Sequence, residues 1–259
     1  MDKKYTLLSV VIFCLMLQSC SFVQLFEVNS KNMKDTDGYF QTENDTLRIV
    51  YNFNSPGGSM SFLILNKLNV PLYLDWRKSS FIQNNFKNNY WEDIVETKTI
   101  GSNLEFTKSQ NLNTKIWNLN NIGLSAFASI VTKPERITFI PPSTLIPQDK
   151  FTLYPKSYYT FQGEPGVKEQ ILDSKKRCKI QFENYEPKDS PLTFRNFLTF
   201  STSENFTTEF YLDNSFYVCS IKKFKSKFLN KFQSPKAFYI ISKSSLQQGE
   251  PDFSDPLYK

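Results

Sequence analysis

Six consecutive residues, Asp75-Trp76-Arg77-Lys78-Ser79-Ser80, gather an acid, two bases and two hydroxyls. A carboxylate beside serines and a lysine is raw material for nucleophilic catalysis. Composition narrows that chemistry, because the chain contains no histidine. A Ser-His-Asp triad cannot be assembled, and neither can a zinc site that uses imidazole. Two routes remain. One is a pair of carboxylates of the glycosidase kind. Asp75, Glu92, Asp93, Glu183, Glu204, Glu209 and Asp213 have the right type, but nothing in the sequence sets two of them across a cleft. The other is a serine activated by lysine. Ser220-Ile221-Lys222-Lys223 has the S-x-x-K spacing, without the S-D-N and K-T-G companions and without the helix that pattern requires. The expectation is therefore a protein that is not an enzyme, with no cofactor and no metal. A carbohydrate-active or cell-wall enzyme using a carboxylate pair is the alternative.

Binding chemistry has more candidates. Tyr90, Trp91 and Trp117 lie among asparagines. Exposed rings that stack on sugar faces, with amides that bond hydroxyls, would suit a glycan. The same rings would equally anchor loops. The run Lys222–Phe232, "KKFKSKFLNKF", interleaves lysines with aromatics. As a helix it would align Phe224, Phe228 and Phe232 beside Lys223, Lys227 and Lys231, fit for an anionic membrane or a membrane-protein partner. As a strand it would be a hairpin arm whose lysines, Lys225 among them, discourage edge pairing. The sequence leaves both periods open. Lys223, Lys225 and Lys227, with Trp91 and Trp117, are the candidate contacts to a ligand or partner.

The N-terminus carries an address. Lys3 and Lys4 precede an apolar run from Leu7 to Leu17, shorter than the roughly 20 residues needed to cross a bilayer and suited to a secretory signal. It ends in Leu17-Gln18-Ser19-Cys20. This stretch resembles a bacterial lipobox, which implies cleavage before Cys20 and acylation of its sulfur, palmitate included. Two or more acyl chains give stable anchoring. The expected organisation is a signal peptide over 1–19, a lipidated N-terminus and tether over 20–45, a β-sandwich domain over 46–246 and a loose tail over 247–259. The expected place is the cell envelope, at the outer membrane. The partners would be the bilayer and an envelope protein or glycan. A formal charge of +6 is modest, and an exported protein rarely meets nucleic acid. Of the remaining cysteines, Cys178 and Cys219 either form a disulfide, which an oxidising compartment permits, or serve as small buried apolar residues.

The elements that must position these groups are strands. Leu47, Ile49, Tyr51 and Phe53 alternate with polar residues, and Asn54-Ser55-Pro56-Gly57-Gly58 then turns the chain. Ser61–Asn66 reads as a buried strand. Leu72, Leu74 and Trp76 alternate with Tyr73, Asp75 and Arg77, completing a three-strand meander. On that reading the Asp75–Ser80 stretch is architectural, with Trp76 in the core and Asp75 and Arg77 on the outer face, close enough to pair with each other or to meet neighbouring strands. Further strands are expected at 137–140, 151–154, 177–182, 193–201, 216–221 and 237–242, with a short helix near Tyr90–Val95 and a helix or loop over Leu119–Val131. The pattern predicts an all-β fold, an immunoglobulin-like antiparallel β-sandwich with long loop or short-helix insertions.

"NKLNVPLYLDWRKSSFI" (66–82), "KPERITFIPPST" (133–144) and "FRNFLTFSTSENFTTEFYLDNSFYVCSIKK" (194–223) resemble an uncharacterised family of Bacteroidetes lipoproteins. The resemblance covers most of the mature chain and agrees with the lipobox. It implies an address and a fold, and no reaction.

Overall fold

A computed structural model describes residues 21–92, 134–172 and 176–242, and the backbone of 96–100 and 128–132. The chain is built from antiparallel strands, as its period-two pattern requires. In order they are β1 (Phe22–Ser30), β2 (Lys34–Thr36), β3 (Tyr39–Glu43), β4 (Leu47–Tyr51), β5 (Ser59–Asn66), β6 (Leu72–Asp75), β7 (Ser80–Gln83), β8 (Phe86–Asn89) and β9 (Glu96–Ile100). β10 (Ala128–Thr132), β11 (Ile137–Ile140), β12 (Leu145–Thr152), β13 (Gly166–Leu172), β14 (Lys176–Asn184), β15 (Thr193–Ser201), β16 (Glu209–Lys225) and β17 (Ala237–Ser242) follow. One 3-10 helix, Ser226–Lys231, lies between the last two strands.

The strands form a sandwich. The larger sheet has ten strands, running β11-β6-β15-β16-β1-β17, with β7 and β14 on the flanks of β15 and β16 and with β8 and β13 beyond them. The smaller sheet has five, in the order β12-β5-β4-β3-β2. This is more than the about seven to nine strands of an immunoglobulin domain. β9 and β10 make a separate hairpin. β16 is the spine. Its 17 residues pair with β15 along the first half and with β1 and β14 along the second. At about 3.3 Å per residue it is roughly 50 Å long.

The core lies between the sheets. Tyr51, Phe53 and Phe62 of one layer meet Phe194, Phe200 and Phe216 of the other. Phe216 is the hub, with ring centroids of Tyr51, Phe53, Phe194 and Phe40 at 4.9, 5.2, 5.1 and 5.6 Å. A polar network crosses this apolar layer. Tyr51 Oη accepts from the side-chain amides of Asn196 and Asn214, each at 2.9 Å. Tyr90 Oη donates to Asn196 Oδ1 at 2.8 Å, and Thr42 Oγ1 donates to Asn214 Oδ1 at 2.9 Å. A buried polar group must be partnered or it destabilises the fold. These bonds therefore fix how one sheet sits on the other. Burial pushes the phenols of Tyr51 and Tyr90 above their ordinary range.

Three expectations about organisation change. The 20–45 segment is no tether where it is described. Phe22–Ser30 is an interior strand, with Val23, Leu25, Phe26 and Val28 buried between β16 and β17. Its pattern reads as irregular because residues on both of its faces are covered. The expected meander breaks after β5. β4 and β5 pair in the smaller sheet, whereas β6 crosses to the larger one and pairs with β11 and β15. No helix forms over Tyr90–Glu92; residues 93–95 lie outside the described residues, and so does most of Leu119–Val131, whose last residues belong to β10. The strands expected at 137–140, 193–201 and 237–242 occur with those bounds. Residues 1–20 and 243–259, and with them Cys20 and the 247–259 tail, lie outside the described residues.

Candidate ligand surface and the fate of the predicted sites

The Asp75–Ser80 stretch is a stitched loop. β6 and β7 both pair with β15, β6 at Phe200 and Ser201, β7 at Phe194–Phe197. The residues between them lift away from β15 and are tied back. Ser79 Oγ donates to the Asp75 carbonyl at 2.7 Å and accepts from Thr199 N–H at 3.0 Å. Thr199 Oγ1 donates to the Lys78 carbonyl at 3.1 Å. Leu72, Leu74 and Trp76 face the core as expected, and Trp76 Nε1 donates to Thr138 Oγ1 at 2.8 Å. On the outer face the second alternative holds, contact with a neighbouring strand segment in place of an Asp75–Arg77 pair. Asp75 is 0% exposed, and its carboxylate pairs with Arg136 at 2.8 Å. Arg77 contributes only its backbone N–H, 2.9 Å from Asp75 Oδ1. Arg136 comes from the neighbouring β11 segment, a partner that the local sequence does not name.

Three of the other acids named as candidates are also tied up in bonds. Lys78 bridges Glu209, Arg195 bridges Asp213, and the Tyr185 hydroxyl donates to Glu183. Glu92 and Glu204 are exposed, and Asp93 lies outside the described residues. Burial, with the Glu183 contact second, pushes the Tyr185 phenol far above its ordinary value. Among the described residues, no group of three metal-ligating side chains gathers. The S-x-x-K match places Ser220 and Lys223 an odd number of residues apart on β16, and so on opposite faces. Lys222 bonds Glu27 instead.

The two cysteines take the apolar alternative. Both are free thiols. The β14–β16 ladder explains why: Cys219 lies beside its Asn184–Ser220 end, whereas Cys178 lies beyond its Gln181–Lys223 end. Partners in a disulfide need Cα atoms within about 7 Å. Burial raises both thiols above their ordinary value.

Trp91 is half-buried against the core, its indole N–H donating to the Pro134 carbonyl at 2.9 Å; it anchors a loop. Trp117 lies outside the described residues. The basic run resolves into neither expected period over its whole length. β16 continues to Lys225, and the 3-10 helix then folds Phe228 and Leu229 onto Val23, Leu25, Cys178 and Ile180. Phe224 and Phe232 close on each other at 4.6 Å. Lys223 is partly buried, bonding the Tyr158 hydroxyl at 2.9 Å, whereas Lys225 and Lys227 are exposed.

What the structure does bring together is on the outer face of the larger sheet. Strand alternation and register put Tyr73, Phe139, Phe197, Tyr211, Arg195 and Asp213 on that one face. Phe197 stacks on Tyr211 at 5.2 Å, and Tyr73 meets Phe139 edge-on at 5.7 Å. Tyr211 is 66% exposed and Phe139 50%. The Lys78–Glu209 bridge lies between the two aromatic pairs, with Lys78 also over the Phe206 ring. Further along β15 and β16, past Arg195, is an open depression of about 200 Å³ that neither ring of the Phe197–Tyr211 stack lines. Ile82, Pro187 and Tyr217 line it, with Lys31, Asn85 and Arg195 among its polar groups. It is smaller than the roughly 300 Å³ lower bound of drug-sized sites, so it suits one ring. Arg195 spends two of its donors on Asp213. A guanidinium has five, so the pair holds it in place with donors to spare.

Sequence reading missed this surface, although a signal exists. In Thr193–Ser201 the amide Asn196 sits on the apolar parity and Phe197 on the polar one. That exchange marks an inward polar network and an outward ring. No family model, curated protein or solved structure matches the chain.

Proposed function

We propose that this protein is a lipid-anchored accessory binding module of the bacterial cell envelope, non-enzymatic, whose ligand is a glycan bearing acidic sugars. The anchor rests on the lipobox-like Leu17-Gln18-Ser19-Cys20. The observation that carries the binding reading is Arg195, which rims the ring-sized depression with Lys31 and Asn85 and also holds Asp213, the cross-strand neighbour of Phe197 in the outward Phe197–Tyr211 stack. Exposed aromatic rings offer flat apolar area with a polar tip, which matches the faces of sugar rings. The guanidinium gives charge-assisted bonds to a carboxylate, and Asn85, Thr193 and Ser215 are hydroxyl partners along the same depression.

The test is affinity electrophoresis through gels cast with alginate, a uronate polymer, or with a neutral dextran. The protein is expected to be retarded by alginate and to run freely through dextran. Tyr211→Ala and Arg195→Gln each abolish most of the retardation while leaving the far-ultraviolet circular dichroism unchanged. Equal mobility in alginate and blank gels overturns the reading.

A further inference from the structure

We infer that the lower end of the larger sheet is a membrane-apposed face that rests on anionic lipid headgroups. This rests on the proposed anchor at Cys20 and adds to it a defined orientation of the domain. The first observation is the missing slack. Ser21 is already pinned to the fold: its carbonyl accepts from Ser226 N–H at 3.0 Å, and its hydroxyl bonds that of Ser226. β1 begins one residue later and is locked between β16 and β17. An acylated Cys20 would thus be one residue from rigid structure. The acyl chains would hold whatever surrounds Ser21 at the headgroups.

The second observation is what surrounds it. Register and alternation place Phe22, Lys225, Lys179, Arg177, Ile171 and Val167 on one face at this end of the sheet, with the acid Glu169 among them, opposite Lys179. Ile171 is 71% exposed, Val167 55% and Phe22 36%. Exposed aliphatics on an edge strand are a liability in water, and they suit insertion among headgroups. The cations around them are largely unneutralised. Among the described residues, Lys179 and Lys225 form no ion pair, and Glu169 makes only a loose 3.7 Å contact, to Arg177, so the cations outnumber the acid. Lys176 and Lys227 add exposed charge at the margins of the same end. A cluster of lysine and arginine beside apolar side chains is the complement of an anionic leaflet.

The third observation is direction. β16 carries this end and the aromatic surface at opposite termini, Lys225 at one and Glu209 at the other. Docking the basic face would hold the Phe197–Tyr211 stack away from the bilayer, open to a ligand.

The test uses the mature protein purified from membranes and reconstituted into vesicles of phosphatidylcholine, with or without phosphatidylglycerol. Hydrogen exchange is read at 166–172 and at 137–140, and intact mass reports acylation of Cys20. The expected result is exchange at 166–172 slowed about tenfold by phosphatidylglycerol, with 137–140 unchanged. Lys179→Glu/Lys225→Glu, both exposed positions, abolishes the slowing. Acylated protein with equal exchange in both vesicles overturns the apposition and leaves the anchor standing. If the mass shows no acyl chain, the anchor falls. The face is then judged by sedimentation of the protein with the same vesicles: binding that needs phosphatidylglycerol and both lysines supports it, and no binding overturns it.

Discussion

The two ends of β16 show what one strand can do in two settings. Near Glu209 the sheet is broad and its charges are matched. Lys78 holds Glu209, Arg195 holds Asp213 and Arg136 holds the buried Asp75. What remains outward is aromatic. Near Lys225 the edge strand β13 carries the exposed aliphatics Val167 and Ile171, and among the described residues Lys179 and Lys225 form no ion pair. Matched charges fix geometry but are weak attractors at long range; unmatched like charges attract a surface of the opposite sign. The contrast is therefore between an end built to hold a shape and an end built to meet a charged plane.

The largest perturbation tests whether both ends belong to one cooperative body. Phe216 lies midway along β16 and touches four aromatic rings across the core. Phe216→Ala is expected to lower the unfolding free energy by about 4 kcal/mol. Fluorescence of Trp76 and Trp91 reports the Glu209 end, and hydrogen exchange at 166–172 reports the other. Coincident loss at both ends in urea is the expected outcome. Separate transitions would mean that the comparison is between two folding units.

A smaller change is confined to one end. Arg136→Ala leaves the buried Asp75 carboxylate without its cation; because the Arg136 side chain is itself 42% exposed, solvent screens the pair and the expected cost is about 1–2 kcal/mol. Arg77→Ala should stay within about 0.5 kcal/mol, since that side chain is exposed and the stitch uses only its backbone. Chemical denaturation of the two variants checks the order. If Arg77→Ala is the costlier, the Asp75–Arg77 pair, the other arrangement the sequence allowed, is the correct one.

Those two arginines illustrate what could be read beforehand. Period-two alternation revealed the all-β class, the core parity of Leu72, Leu74 and Trp76, and the bounds of β15 and β17, because burial of one sheet face writes itself into every second residue. It failed where the cause is nonlocal. Arg136 reaches Asp75 from the bend just before β11, about sixty residues away in the chain. β1 is covered on both faces and loses its alternation. The basic run 222–232 changes period in its middle, from strand to 3-10 helix, so a single-period reading could not describe it. The candidate ligand surface is assembled from β6, β11, β15 and β16, and only pairing brings those rings together.

The smallest expected effect is also the cleanest electrostatic one. Glu43 belongs to the matched population: Arg48 bonds both of its oxygens, at 3.0 and 3.1 Å, and Lys67 Nζ lies 2.7 Å from Oε1. These bonds, Arg48 first, hold its carboxyl down at about 2, against an ordinary value of 4.5. A carboxylate whose folded value is depressed contributes stability above its unfolded value and loses it as the pH falls through the folded value. The contribution is thus present at pH 5 and above and fades between about 4.5 and 2. Because the group is solvent-accessible, salt weakens the pairing. Carboxyl carbon shifts followed by nuclear magnetic resonance should give a midpoint for Glu43 near 2, rising toward 4.5 in Arg48→Gln and, to a smaller extent, in Lys67→Gln. Lys225→Gln, by contrast, should leave every carboxyl midpoint where it was, since no described carboxylate pairs with it. A Glu43 midpoint that ignores Arg48 would remove this cluster from the matched set, and a carboxyl that responds to Lys225 would give the basic end an acid of its own.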